Sequence, residues 1–364
     1  MSRKRLIQVG VGGWGLNWLE YSTTSEDFDL VACVDVSRDA FETARDRHGL
    51  DPARFYEDLR DALKEHGADA VLLVVPPAVH ADIAEIALSA GAHVLVEKPI
   101  ADTIEDARRM NAAAHAADRL LVVSQNYRYR PAAQTVKWVL DQGVLGEVGY
   151  ATVDFRKAPS YPSPEGLHTF RGRPGFRGYR LVEDMSIHHF DLMRGLLGSD
   201  AVSVYARTLD PSWTWFDAPA AVFAEIELAG GAHVAYSASW VTQGPGTNWN
   251  GHWRIDCENG QVEWSDDRVV ARSKDIFALM FKRGFREGGE ESEAIIQPMA
   301  REDRVYLLHE LACAIDGGPE PETVGTDNVH TLALSLAVQT SAAENRVVDV
   351  RALVEEPVAE RSTP

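Results

Sequence analysis

Cysteine, positive charge and long apolar runs are all scarce in this sequence, and each scarcity excludes something. The 364 residues hold three cysteines, Cys33, Cys257 and Cys313, an odd number with no C-x-x-C pair. Neither a disulfide framework nor a zinc site follows from them, no metal is expected, and a reducing compartment, the cytoplasm, is the expected location. Lys and Arg together number 36 against 55 for Asp and Glu, giving a net charge of −19. Such an imbalance repels a phosphate backbone and argues against nucleic acid as a partner. No stretch reaches the roughly 18 consecutive apolar residues that a membrane span needs. The opening "MSRKRLIQVGVGGWG" has its apolar run cut by glycines, unlike a signal peptide. No internal repeat is present, which excludes solenoids and propellers.

What is present points to two domains, since one core rarely serves so long a chain. Up to residue 124, near-continuous apolar runs ("RLIQVGVG", "LVACVDV", "DAVLLVVPP", "AHVLVEKP", "LLVVSQN") alternate with amphipathic segments. That rhythm predicts parallel strands joined by crossover helices. After a helix at about 131–142 the pattern becomes alternating, with "AGGA" (229–232) and "ENGQ" (258–261) as hairpin turns. Two more helices are expected at about 301–316 and 327–345. The expected class is α/β: an amino-terminal Rossmann dinucleotide-binding domain over 1–124, then an α+β domain over 125–364 with a large, mostly antiparallel open sheet. Six of the nine tryptophans lie between 213 and 264, so one face of that sheet should be covered, by another subunit or by the domain's own helices.

"GVGGWG", Gly10 to Gly15, is G-x-G-x-x-G directly after a strand and before a helix. Gly10 suits the tight turn, Gly12 a close approach to a pyrophosphate, and Gly15 the packing of helix on strand, with Gly13 and Trp14 completing the cofactor loop. Asp35 ends the next strand 20 residues after Gly15, where a carboxylate accepts both ribose hydroxyls and repels a 2′-phosphate. NAD is therefore expected over NADP, with Ser37 and Arg38 keeping NADP as second choice. "VEKP" (96–99) closes a later parallel strand, at the sheet edge where such folds bind ligands, which raises Glu97 and Lys98 above ordinary turn charges. In "EDMSIHHFD" (183–191), Asp184, His188 and Asp191 fall at i, i+4 and i+7 and form a polar stripe on a regular helix. His189 is rotated about 100° from His188, toward Met185 and Met193, and is expected to be structural.

"GVGGWG", Asp35, "EKP" and "EDMSIHHFD", in this order and with "VVPPAVH" and "QNYRYRP" between them, resemble the Gfo/Idh/MocA family of sugar and cyclitol oxidoreductases over nearly the whole chain. The resemblance implies that Lys98 contacts the nicotinamide side and the substrate. It further implies that Asp184 and His188 form the second-domain catalytic pair, and that Pro76, His80, Glu97 and Asn126 line the cofactor cleft. A family departure, Ser186 where a glycine is common, implies a differently shaped pocket.

Oxidising an alcohol needs a nicotinamide to take hydride and a base to take the hydroxyl proton. Lys98 and His188 are the two candidate bases, supported by Asp184. The expected activity is hydride transfer between a ring hydroxyl of a sugar, glycoside or cyclitol and NAD(P). The competing readings are a catalytically silent dinucleotide or sugar sensor of the same fold and a reductase of unsaturated substrates. In the loop 157–180, His168, Arg171 and Arg177 are the candidate substrate contacts. A homo-dimer or homo-tetramer through the second-domain sheet is the expected assembly.

Overall fold

The computed structural model describes residues 2–158, 181–214, 216–275, 284–286 and 291–355. The chain divides into two compact units. Among the described residues the first holds 2–126 and 301–332, and the second 127–300 and 333–355. The boundary near 124 thus has a counterpart at 126. The return of 301–332 to the first unit is a difference from the expected single division.

The first unit is built on a six-stranded, all-parallel sheet of β1 (Lys4–Val9), β2 (Phe28–Val34), β3 (Phe55–Tyr56), β4 (Ala70–Leu73), β5 (His93–Val96) and β6 (Leu121–Val123). The strand order is β3-β2-β1-β4-β5-β6, the doubly wound order whose ligand crevice lies at the carboxyl ends beside β1. Helices α1 (Gly15–Thr24), α2 (Arg38–His48), α3 (Leu59–His66), α4 (His80–Ser89) and α5 (Ile104–Ala117) connect the strands. Ser37 caps α2 by accepting from the Ala40 N–H, and Thr103 caps α5 by accepting from Asp106.

Residues 301–332 return because this sheet is incomplete without them. Leu308, Leu311 and Ala312 of the later helix α8 (Asp303–Ile315) bury against Leu6, Trp18, Phe28, Leu72, Leu95 and Val122. Each buried leucine is worth about 1.5–3 kcal/mol, ample reason for the chain to come back. A bridge between Val122 and Val324 and a bond from the Val123 N–H to the Thr323 carbonyl (2.8 Å) fasten it at β6.

Among the described residues the second unit carries nine strands: β7 (Val148–Arg156), β8 (Ala201–Leu209), β9 (Ala221–Leu228), β10 (His233–Ser239), β11 (His252–Cys257), β12 (Gly260–Ser265), β13 (Arg268–Ser273), β14 (Glu291–Glu293) and β15 (Val348–Asp349). Their order is β14-β13-β12-β11-β7-β10-β9-β8-β15, and every pair is antiparallel except β7 with β10. "AGGA" joins β9 to β10 and "ENGQ" joins β11 to β12, as hairpins. Along β10 the residues alternate, with Val234, Tyr236 and Ala238 inside and His233 and Ala235 exposed, the pattern of a sheet covered on one face. Helices α6 (Pro131–Asp141), packed on β12 and β13, and α7 (Ile187–Leu197), packed on α6, lie in this unit. The tryptophans divide accordingly. Trp240, Trp253 and Trp264 are buried within the chain, Trp253 stacked on Trp264, while Trp213 and Trp249 keep exposed surface. The last helices are α9 (Gly325–Glu344) and α10 (Val350–Glu355). No helix among the described residues is long and apolar enough to cross a membrane.

Candidate active site

In the first unit the glycine loop is shaped by contacts that a side chain would destroy. Gly10 has φ +88° and donates to the Val34 carbonyl, and a Cβ there would sit 2.0 Å from the Val74 carbonyl oxygen. A Cβ on Gly15 would lie 2.1 Å from the Gly10 carbonyl oxygen, so α1 can start this close to β1 only as glycine. Gly13, with φ +51°, borders open space. Beneath the loop the buried Gln8 donates to the carbonyls of Gly10 (3.0 Å) and Gly15 (2.8 Å) and accepts from Ser22 (2.7 Å). Sequence reasoning missed Gln8, because it reads as one more residue of an apolar strand.

Asp35 is fixed across the mouth of the loop. Its Oδ2 accepts from the N–H groups of Val11 (2.9 Å) and Gly12 (3.2 Å), and its Oδ1 from Ser37 N–H (2.9 Å). A carboxylate offers about four acceptor positions, so one remains for a ribose hydroxyl. The two residues that kept NADP in view stand beside Asp35. Ser37 caps α2, and Arg38, largely exposed, reaches Glu57 at 3.6 Å. The donor set, the open glycine face and a held carboxylate fit a dinucleotide with a free ribose, and Gly10, Gly12, Gly13, Trp14, Gly15 and Asp35 are the residues that would hold it.

Glu97 is the hub of the neighbouring strand end. It is buried, its Oε1 accepts from the indoles of Trp18 (2.6 Å) and Trp14 (3.2 Å) and from Ser124 (3.4 Å), and its Oε2 accepts from the Lys98 N–H (3.0 Å). It therefore acts through Trp14 and the backbone of the half-buried Lys98 and is no surface charge. His80 is also wholly buried. Its Nδ1 meets the Ile100 carbonyl (3.1 Å) and its Nε2 the Val75 carbonyl (2.9 Å), so it ties the turn at Pro76 to the chain following Lys98. Burial drives its pKa down while the two carbonyls pull it up. Both ring nitrogens face chain carbonyls, and the neutral ring donates to one of them, so His80 ties these loops together. Asn126, just past β6, is buried and donates from Nδ2 to Asp303 Oδ1 (2.6 Å).

In the second unit the "EDMSIHHFD" segment departs from a regular helix. Val182–Ser186 is wound as a π turn, and the α-helix begins at Ile187. The wider turn changes the angular step between Asp184 and His188, so the one-turn spacing on a regular helix does not apply across it. Nor is the polar stripe solvated. Asp184 and His188 are each 8 % exposed, and Asp191 is paired with Arg128 through two bonds of 2.6 and 2.8 Å inside the protein. His188 stacks on Tyr127 with ring centroids 4.3 Å apart and planes 9° from parallel, and Arg130 lies 3.4 Å over the same tyrosine ring.

Its neighbour His189 has the opposite environment. It is fully buried, its Nε2 meets the Trp249 carbonyl (3.0 Å), and its Nδ1 meets the Tyr236 hydroxyl (2.9 Å). A carbonyl only accepts, so Nε2 carries the proton and Nδ1 accepts from the tyrosine. Burial pushes its pKa down to about 4, helped by the Arg130 charge. His189 is neutral and fully bonded, and both its ring nitrogens serve the packing of α7 on the sheet. The substrate candidates His168, Arg171 and Arg177 lie outside the described residues.

Residues 4–125 match the profile of an oxidoreductase family with an NAD-binding Rossmann fold, and residues 133–263 match the GFO/IDH/MocA C-terminal domain. The chain is similar to D-apiose dehydrogenase of Paraburkholderia graminis, at 29% identity over 98% of this chain and 92% of that protein. It is similar to inositol 2-dehydrogenase of Rhizobium meliloti, at 27% identity over 94% and 98% of the two chains. Among solved structures, an oxidoreductase from Agrobacterium radiobacter in complex with NAD+, L-tartaric acid and magnesium has the same fold, with a TM-score of 0.81 at 23% identity, covering 97% of this chain and all of that one.

Proposed function

The chain belongs to the Gfo/Idh/MocA family of oxidoreductases, and from that premise we propose that it is an NAD-dependent dehydrogenase acting on a CH–OH group of a sugar, glycoside or cyclitol. The observation that carries the cofactor choice is Asp35, held across the glycine turn by three backbone N–H groups. The similarity to dehydrogenases named for D-apiose and inositol supports the substrate class.

NAD, when bound, supplies the acceptor for hydride leaving the ring carbon. This chain's residues do the rest. Glu97 fixes Trp14 and the Lys98 backbone, and the Lys98 ammonium donates to the substrate oxygen as charge gathers on it. His188, its ring plane set by Tyr127, is the second unit's candidate base, with Asp184 to steady the imidazolium that would result. The assembly we propose is a homo-dimer or homo-tetramer through the uncovered sheet face. That face presents Tyr150 and Phe223 among His233, Glu225 and Arg207, a mixture suited to pairing with a second copy. The free thiols of Cys33, Cys257 and Cys313 support a cytoplasmic location. Pentoses, hexoses, glycosides and cyclitols tested one by one with NAD and with NADP, read by nicotinamide absorbance, check the reading. Reduction of NAD by at least one member is expected. Tight NAD binding with no turnover on any member would favour a sensor.

A further inference from the structure

Among the described residues, four other than glycine hold the left-handed backbone region, and three of them are where such a residue is usual. Asp118 closes α5, Asn345 follows α9, and Asp266 turns the hairpin between β12 and β13. Asp303 is different. With φ +55° it is the first residue of α8, where a helix needs no left-handed residue and where the conformation is costly for a side chain bearing a Cβ. Strain of this kind persists only where surrounding contacts hold it.

One contact that holds it is to Asn126. Asp303 Oδ1 accepts from Asn126 Nδ2 at 2.6 Å and from the N–H of Arg304 at 2.8 Å. A carboxylate at this distance only accepts, so the amide atom facing it must be nitrogen, which removes the usual ambiguity of an asparagine's two ends. Asn126 is 3 % exposed, it follows the strand beside Glu97 and Lys98, and no described residue donates to its Oδ1. The next residue, Arg304, lies over the rings of Trp14 (4.7 Å) and Trp18 (5.5 Å), the indoles that Glu97 holds. Asp303 and Arg304 thus reach two separate parts of the cofactor loop region from the segment that returns to the first unit.

We propose that Asp303 is a positioning residue for the cofactor: its carboxylate fixes the Asn126 amide so that Asn126 presents Oδ1, an acceptor, to a hydroxyl or amide donor of the bound dinucleotide. The strained backbone places the carboxylate where a regular helix start would not. This rests on the dinucleotide reading above and names a residue that neither the glycine motif nor the "QNYRYRP" segment contains.

Three variants separate orientation from strain and from charge. Asp303→Gly relieves the backbone but removes the carboxylate, Asp303→Ala removes it without that relief, and Asp303→Asn tolerates the left-handed region and still offers an oxygen to Asn126 Nδ2. NADH binding is followed by quenching of tryptophan emission, and folding by thermal melts. The expected result is a loss of NADH affinity of about tenfold or more in the Gly and Ala variants, the scale of one charge-assisted bond, with the Asn variant within about threefold of the unaltered protein. Asp303→Gly should melt no lower than Asp303→Ala. Asn126→Ala should lose affinity by the same factor, and adding Asp303→Gly to it should lose nothing more. Unchanged affinity in Asp303→Gly, an Asn variant as weak as the Gly variant, or additive losses in the double variant would overturn the proposal. Failure of the unaltered protein to bind NADH would overturn the dinucleotide reading itself.

Discussion

Replacing His189 by Ala should cost stability in a way that depends on pH, and the structure fixes both the size and the sign. The ring makes two buried hydrogen bonds, to Tyr236 and the Trp249 carbonyl, and packs edgewise against Tyr127 and at a tilt against Phe155. Two bonds at about 1 kcal/mol each, plus the packing lost, give a cost of about 2–4 kcal/mol at pH 7. At that pH the folded and unfolded chains both hold the ring largely neutral. As pH falls through 6.5 the unfolded chain gains a proton that the folded chain refuses until about 4, so stability is lost on acidification. The loss is on the order of 2 kcal/mol by pH 5 and 3 kcal/mol below pH 4, and the Ala variant has no such group to titrate. The penalty of the substitution should therefore shrink to about 0–2 kcal/mol at pH 5. Urea unfolding of both proteins at pH 7 and pH 5 measures it. Equal penalties at the two pH values would refute the neutral, doubly bonded assignment. His188→Ala, run beside it, should lower turnover by roughly tenfold or more.

Asp35→Ser should narrow the preference for NAD over NADP by about 1–3 kcal/mol, measured by calorimetric titration of both cofactors; a preference for NADP in the unaltered protein would contradict the role of Asp35. Asp191→Ala should destabilise the protein by about 3–5 kcal/mol, since it leaves the Arg128 guanidinium buried without the carboxylate it now bonds twice, and denaturant unfolding reads the loss. Among the thiols, burial pushes Cys33 up to about 12, and burial with the carboxylates of Asp256, Glu147 and Glu258 pushes Cys257 up to about 11. A chromogenic disulfide at pH 8 should therefore label Cys33 and Cys257 slowly in the folded protein, as peptide mapping would show, and rapid labelling of Cys33 would contradict its burial.

The glycine turn and its carboxylate were legible because their signals are local. Gly10, Gly12, Gly15 and Asp35 fall within one strand-turn-helix-strand passage, where spacing alone carries the geometry. The antiparallel sheet was legible through alternation and the two glycine-bearing hairpins. What escaped depends on contacts between distant residues. Trp14 and Glu97 are 83 residues apart, and Asn126 and Asp303 are 177 apart, so no window of sequence joins them. β3, two residues long, is too short to show a period, and the π turn at Val182–Ser186 has no compositional mark. The return of 301–332 follows from burial of Leu308 and Leu311 against a core that a one-dimensional reading takes to be complete.

Direct hydride transfer is the central claim, and isotope tracing tests it most plainly. The best substrate from the panel, carrying deuterium on the carbon to be oxidised, is turned over with NAD, and the nicotinamide product is examined by mass spectrometry. One deuterium per reduced nicotinamide is predicted, with the rate of its formation falling by roughly 10²–10⁴ in Lys98→Ala at an unchanged melting temperature. Reduced nicotinamide without the label, or full activity in Lys98→Ala, would contradict the account.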